Sequence, residues 1–242
     1  MNVQTLHGYV LHRRPYRETS FLVDMLSLEY GKCRVVAKGV RSAKSDRKST
    51  LQAFQFITCT VSGRGELKNL TSAEVTEKPH QLKGEALFCG MYINELINRC
   101  LPAHIICPEV MTQYVRCLEA LQAVTMAGDG SAQKHLQAAA LREFELVLLD
   151  ELGVLPDLGV DALDQTPVDN DTQYVFQPEQ GLVQAWHHPH LRAFSGALLA
   201  KVLAREWSSD SLALAKYLTR YAFAPFIGDK PLKSRELFVS QS

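Results

Sequence analysis

Between residues 13 and 48 the sequence gathers ten basic side chains, Arg13, Arg14, Arg17, Lys32, Arg34, Lys38, Arg41, Lys44, Arg47 and Lys48, whose shared chemistry is the neutralisation of phosphate. Each lysine or arginine set against a nucleic-acid backbone charge releases condensed counterions, so such a cluster attracts a polyanion whatever its base sequence. The densest run, VRSAKSDRKST at 40–50, mixes four of these cations with Ser, Thr and one acid. It reads as a loop between strands, either a solvated hairpin or a phosphate contact, and the cations that precede it favour contact. Tyr16, between Pro15 and Arg17, and Tyr30, in a turn, can offer ring faces to unstacked bases at ~1–3 kcal/mol each, or simply pack at a rim.

Other constellations point to less. His187, His188 and His190 flank Trp186 and Pro189, but the proline breaks the helical spacing that converges two rings on one ion, and no carboxylate lies within five residues. They read as a surface loop. Asp157, Asp161, Asp164, Asp169 and Asp171 are spread through a proline-containing stretch and read as a solubilising run rather than a magnesium cluster. Six cysteines, at 33, 59, 89, 100, 107 and 117, lack zinc-site spacing and read as buried thiols. No phosphate-binding GxxxxGK[ST], GxSxG elbow, HExxH or GxGxxG is present, so the expectation is a protein without enzymatic activity, metal or cofactor.

The elements that position the basic cluster follow from charge and period. Residues 1–68 hold twelve lysines and arginines against five acids, and the remainder reverses the balance with fourteen against twenty-one, so a neutral chain is split into a basic and an acidic part. At 242 residues and 46% hydrophobic composition it can bury its own core, in two domains, without disulfides. The start of the chain reaches Arg13 and Arg14 before any long apolar run, and no window approaches the ~18 apolar residues of a membrane span, so a cytoplasmic protein is expected.

From residue 5 to 76, GYVLH, SFLVDMLS, CRVVAKG, FQFITCTV and LKNLTSAEV are short runs rich in Val, Phe, Thr and Leu, with Gly31, Gly63 and Gly65 in the turns. Five strands hide their edges by closing, and the five-stranded Greek-key version is an oligonucleotide-binding (OB) barrel. Beyond Lys78-Pro79 the period lengthens. One helix ends near Leu101-Pro102, a second opens at Pro108, and a third runs over 132–152, where Leu136, Ala140, Phe144, Val147, Leu148 and Leu152 define a face. An irregular excursion follows at about 156–185, with a short strand pair near 174–176 and 181–183, then helices over 190–206 and 210–226. The expected class is α+β: an OB-type barrel at 1–79 and a helical domain at 80–242.

The residues also resemble a known family, the bacterial recombination mediator RecO. The likeness is closest in GYVLHRRPYRETSFLVDMLSLEYGKCRVVAKGVRS at 8–42, GMYINELINRCLP at 90–102 and KPLKSRELF at 230–238, with a weaker match in LREFELVLLDELGVLPDL at 141–158. The resemblance implies an OB barrel followed by a helical domain, and an activity that is not enzymatic. It implies binding of single- and double-stranded DNA, annealing of complementary strands and, with RecR, loading of RecA onto DNA coated by single-strand-binding protein (SSB) in the bacterial nucleoid. The family's capture of the acidic SSB tail maps by the LRxFEL context to Arg142 and Phe144; the alternative is an arginine solvated on an outer helix face. Lys230, Lys233 and Arg235 form a second basic patch, for DNA or for packing against the barrel. Many members carry a four-cysteine zinc site after the LGxxPDL stretch, whereas residues 153–185 here contain no cysteine, so this chain resembles the zinc-free branch. Two rivals remain: an OB-fold adaptor that docks acidic proteins instead of DNA, and a metal-dependent nuclease.

Overall fold

Few strands reach fourteen residues, and β1 (Val3–Tyr16) does so because a bulge bends it at Leu11. Val3 to Tyr9 pair antiparallel with β4 (Phe56–Ser62), while Gly8 to Tyr16 pair with β2 (Ser20–Ser27), which in turn pairs with β3 (Gly31–Ala37). β5 (Lys68–Val75) runs antiparallel to β4 and parallel to β3, closing a barrel in the order β1-β2-β3-β5-β4. Closure leaves no unpaired edge, and this is the five-stranded barrel that the alternating pattern predicts. The computed structural model of the chain describes residues 3–41, 47–127, 130–155, 157–177 and 180–239.

Inside the barrel Val10, Val23, Met25, Val35, Ile57 and Val61 are fully buried, each contributing roughly 1.5–3 kcal/mol. A single helical turn, α1 (Arg47–Thr50), precedes Leu51, which joins the same core. The β2–β3 hairpin needs Gly31: its φ is 60°, and a Cβ there would lie 1.8 Å from the carbonyl oxygen of Ile105.

The chain divides into two compact units, Met1–Gly128 with Leu232–Ser242, and Asp129–Pro231. The first holds the barrel with α2 (Gly84–Cys100) and α3 (Pro108–Ala127). Their apolar stripes are those the spacing predicts: Cys89, Ile93, Leu96, Ile97 and Cys100 on α2, and Val110, Tyr114, Cys117, Leu118 and Leu121 on α3, are all buried. A buried polar contact ties α2 to the barrel. The bulge takes Leu11 out of the β1–β2 register, and its carbonyl accepts instead from Asn94 Nδ2 of α2 at 2.8 Å. Asn94 Oδ1 in turn accepts from the buried Tyr114 hydroxyl of α3 at 2.8 Å, so all these buried polar atoms are satisfied.

The second unit contains α4 (Ser131–Glu151), β6 (Gln173–Gln177), β7 (Gly181–Gln184), β8 (Phe194–Ser195), α5 (Gly196–Leu203) and α6 (Ser209–Ile227). The expected strand pair is present as β6 and β7, and β8 adds a third strand on the other side of β6. The helix expected over 190–206 is shorter, because the Ser195 hydroxyl caps it by accepting from Leu198 N–H at 3.3 Å. The face of α4 is also turned from the expected one: Leu136 is 58% exposed, while Arg142, Glu145 and Gln137 are buried beside Phe144, Leu146, Leu148 and Leu149. The aspartates of 157–171 are turn formers as well as solubilising groups. Asp157, Asp161, Asp164 and Asp169 each accept a backbone N–H two residues on, and Asp161, 1% exposed, also accepts from Gln184 N–H.

A last helix, α7 (Lys233–Val239), unforeseen from the pattern, returns to the first unit. Glu95 of α2 accepts the backbone N–H groups of Lys233 and Ser234 and the Ser234 hydroxyl at 2.7–3.0 Å, and Phe88 meets Phe238 edge to face. In the barrel Glu29 similarly accepts from His7 N–H, His7 Nδ1 and the Ser27 hydroxyl. Burial disfavours ionisation of both carboxylates, but these hydrogen bonds outweigh it and hold both pKa values below the usual carboxylate value. A lowered folded pKa gives stability that is present above the unfolded value and is lost as pH falls through the folded one. Thermal melts should therefore weaken between about pH 5 and about pH 3, and Glu29→Gln with Glu95→Gln should flatten that dependence. An unchanged slope in the double variant would show that other groups govern it.

Candidate nucleic-acid interface

Three antiparallel strands place His12, Asp24 and Arg34 in one row across the outer face of β1, β2 and β3. Parity along β1 brings His12 and Arg14 to this face. Without the Leu11 bulge both would share the inward side of Leu6 and Val10, since side chains alternate strictly along a regular strand. Asp24, only 4% exposed, accepts from Arg34 Nε at 2.6 Å, lies 3.5 Å from an Arg14 terminal nitrogen and 3.9 Å from His12 Nδ1. The Arg14 and Arg34 side chains remain about half exposed, at 46% and 51%. Two permanent cations on one carboxylate leave an excess positive charge facing solvent.

A cleft of about 310 Å³ opens on this face. Leu22, Asp24, Lys32 and Arg34 form one side, and Leu67 of the β4–β5 loop and His104 beyond α2 border it. OB barrels engage oligonucleotides with the face of strands 2 and 3 and with the β1–β2 and β4–β5 loops, and the cleft sits on that face beside the β4–β5 loop. Lys32 points its ammonium at the Asn98 carbonyl near the end of α2 at 2.9 Å. Burial, with Arg34 nearby, lowers its pKa, although Asp24 opposes the shift.

A second group of cations gathers at one end of the hairpins. Arg17 lies in the β1–β2 turn with φ of 52°, its guanidinium 5.3 Å from the Tyr16 ring centre. The turn after β3 packs on it: Arg41 N–H donates to the Thr19 carbonyl and the Arg41 guanidinium to the Arg17 carbonyl, at 3.0 and 2.8 Å. Lys38 is exposed in that same turn. None of these three cations has an acidic partner among the described residues.

The remaining members lie elsewhere. Arg13, adjacent to Arg14 in sequence, projects from the opposite side of β1, donates to the Lys48 carbonyl and to Gln52 Oε1, and covers the Phe21 ring at 5.1 Å. Burial there lowers its pKa. Lys48 is exposed on α1. Lys44 lies outside the described residues, and so does the side chain of Arg47. Tyr30 is already engaged, with Lys68 Nζ 5.0 Å from its ring and His104 edge to face at 4.8 Å. The pattern reading missed Asp24 and His12 as members of the site. A carboxylate inside the apolar run SFLVDMLS was the available signal, because a buried acid demands cationic partners.

In the second unit Arg142 and Phe144 are buried, at 6% and 0% exposure, so the arginine is not on an outer face. Its guanidinium donates to Glu145 Oε1 at 2.5 Å, the other Glu145 oxygen accepts from the Thr219 hydroxyl, and Arg142 Nε has no partner among the described residues. In KPLKSRELF, Leu232 and Ser234 are buried while Lys230 and Lys233 stay exposed. The segment thus packs through alternate residues and leaves these two cations outward. Trp186 is 70% exposed with the His187 ring 3.4 Å from it, in a 3₁₀ turn at Ala185–His187. All six cysteines are buried and none forms a disulfide, and burial raises the thiols of Cys33 and Cys59 to about 12 and that of Cys100 to about 11. No described helix is long and apolar enough to cross a membrane.

Two family models cover almost the whole chain: Recombination protein O N terminal over residues 1–79, and Recombination protein O C terminal over 81–236. The change from strand to helix falls at that boundary, whereas the compact units divide later, at 128/129. The chain is 45% identical over 238 residues to DNA repair protein RecO of Pseudoalteromonas atlantica, covering 98% of this chain and 95% of that one. It is 42% identical over 242 residues to the RecO of Alteromonas mediterranea, covering 100% and 99%, and 39% identical over 232 residues to that of Escherichia coli K12, covering 96% and 92%. With a closed barrel, a following helical region and this likeness from end to end, the chain belongs to the RecO family of DNA repair proteins.

Proposed function

We propose that this chain is a non-enzymatic recombination mediator that binds single- and double-stranded DNA through the outer face of β1–β3 and the adjoining hairpin turns. The observation that supports this most is the meeting of Arg17, Lys38 and Arg41 at one rim, on the barrel that also exposes Arg14 and Arg34. Such a surface holds phosphates without reading bases. Annealing then requires no covalent step: two polyanions repel, a basic surface shared by both lowers the barrier to their encounter, and base pairing supplies the driving force. The same reading makes the protein a partner of RecR in loading RecA onto SSB-coated single strands in the bacterial cytoplasm.

The acidic tail of SSB would be captured in the second unit. Support comes from Arg142, a buried cation on the helix that also buries Phe144, Leu146 and Leu148, whose Nε has no acceptor among the described residues, an arrangement that a tail carboxylate would complete. Arg142→Ala should weaken an SSB-tail peptide by at least about tenfold and leave naked-DNA affinity intact. Because that change also strands Glu145, the paired variant Arg142→Met, Glu145→Met is measured beside it as a control that keeps the interior uncharged. Wild-type peptide affinity in both variants would remove Arg142 from the site.

The test of the whole reading is annealing of complementary strands coated with SSB. The wild-type chain should accelerate it with intact SSB and lose most of the acceleration when the SSB tail is removed. No acceleration in either case, with naked strands also unaffected, would overturn it.

A further inference from the structure

Asp24 is a costly residue for its place: a carboxylate in a strand that is buried along its entire length. What compensates it is specific. Arg34 addresses one carboxylate oxygen and Arg14 the other, with His12 beside the second. Two guanidinium groups on two oxygens of one anion is also how a pair of arginines holds the non-bridging oxygens of a phosphodiester. The arginines are about half exposed and can turn outward, whereas Asp24 at 4% exposure cannot follow them.

We propose that Asp24 is a built-in competitor for a DNA phosphate subsite formed by Arg14 and Arg34. This deepens the DNA-binding reading above and rests on it. In the free protein the carboxylate occupies both arginines. A strand lying on the β1–β3 face draws Arg34 and Arg14 onto its phosphate, and the surrendered ion pairs offset part of what the new contacts contribute. Binding at this subsite is therefore weak by construction, and a strand can leave it readily. A surface that brings two strands together and then releases their duplex needs that property, because tight capture of each strand would hold the complements apart.

The alternative is that Asp24 merely fixes the two arginines in a DNA-ready pose, and the two roles predict opposite signs. Labelled oligothymidylate is titrated into the full-length wild-type chain and into Asp24→Asn, each at several salt concentrations. The competitor role predicts that Asp24→Asn binds about tenfold tighter, with a log–log salt slope steeper by about 0.7 for one additional phosphate contact. It also predicts that Arg34→Gln weakens binding and that adding it to Asp24→Asn removes the gain. Equal or weaker binding by a folded Asp24→Asn overturns the proposal. A second readout avoids variants altogether: the Arg34 Nε–H resonance of the wild-type protein should shift as oligothymidylate saturates it, and a resonance that stays in place during saturable binding overturns the proposal just as directly. If the wild-type chain shows no saturable binding, the DNA-binding reading itself fails and this subsite fails with it. Saturable binding with the wrong sign for Asp24→Asn removes the subsite alone.

Discussion

Replacing Arg17, Lys38 and Arg41 together by glutamine should reduce affinity for single-stranded DNA on the order of 100-fold at low salt, and should make the salt slope shallower by about 2. The three lie in two turns joined by a backbone hydrogen bond, so the substitutions remove charge while leaving that main-chain link in place. The main-chain contact from Arg41 N–H to Thr19 survives them. One side-chain contact, from the Arg41 guanidinium to the Arg17 carbonyl, is lost, and at an exposed site that costs little stability. Equilibrium titration with oligothymidylate, alongside a thermal melt, separates the effects. A variant that melts normally and binds normally would move the DNA path away from this rim.

The second large effect concerns stability. Asn94→Leu should destabilise the first unit by about 3–5 kcal/mol, since it removes the amide that the Leu11 carbonyl and the Tyr114 hydroxyl both bond in a buried place. Burial already holds the Tyr114 pKa well above its ordinary value, so its proton has no ionised escape. The loss should appear as a drop of roughly 10 °C or more in melting temperature. It should also reach the proposed DNA-binding face, because the bulge that Asn94 secures is what turns His12 and Arg14 outward. Tyr114→Phe, which leaves only Asn94 Oδ1 unmatched, should cost less. A neutral Asn94→Leu would mean that the bulge is held by the barrel alone.

Much of this molecule could be read from local pattern. The five strands show as period-two runs between glycine turns, and α2 and α3 show as stripes bounded by Pro102 and Pro108, because each depends on neighbours within a turn or two. The basic character of the first part was legible as composition. Its geometry was not. Arg13 and Arg14 are adjacent in sequence yet serve opposite faces of β1, and which of them faces outward depends on a bulge that only the pairing with β2 reveals. The joining of Arg17 to Arg41 depends on two turns meeting. Longer separations hid more. Nothing local marks Glu95 as the cap of α7, 138 residues away, or Glu145 as the partner of Thr219, 74 residues away. The buried Arg142–Glu145 pair also explains the turned face of α4: the spacing puts Leu136 on the apolar stripe, whereas the helix turns a polar pair inward and leaves Leu136 in solvent.

The central claim is that the barrel's cations meet DNA as phosphate ligands. Measuring the affinity of the full-length chain for oligothymidylate over a range of monovalent salt tests it most directly. About five phosphate contacts predict a fall of log K with log salt at a slope near −3.5. Saturable binding whose strength is indifferent to salt, or no binding at low salt, would contradict it.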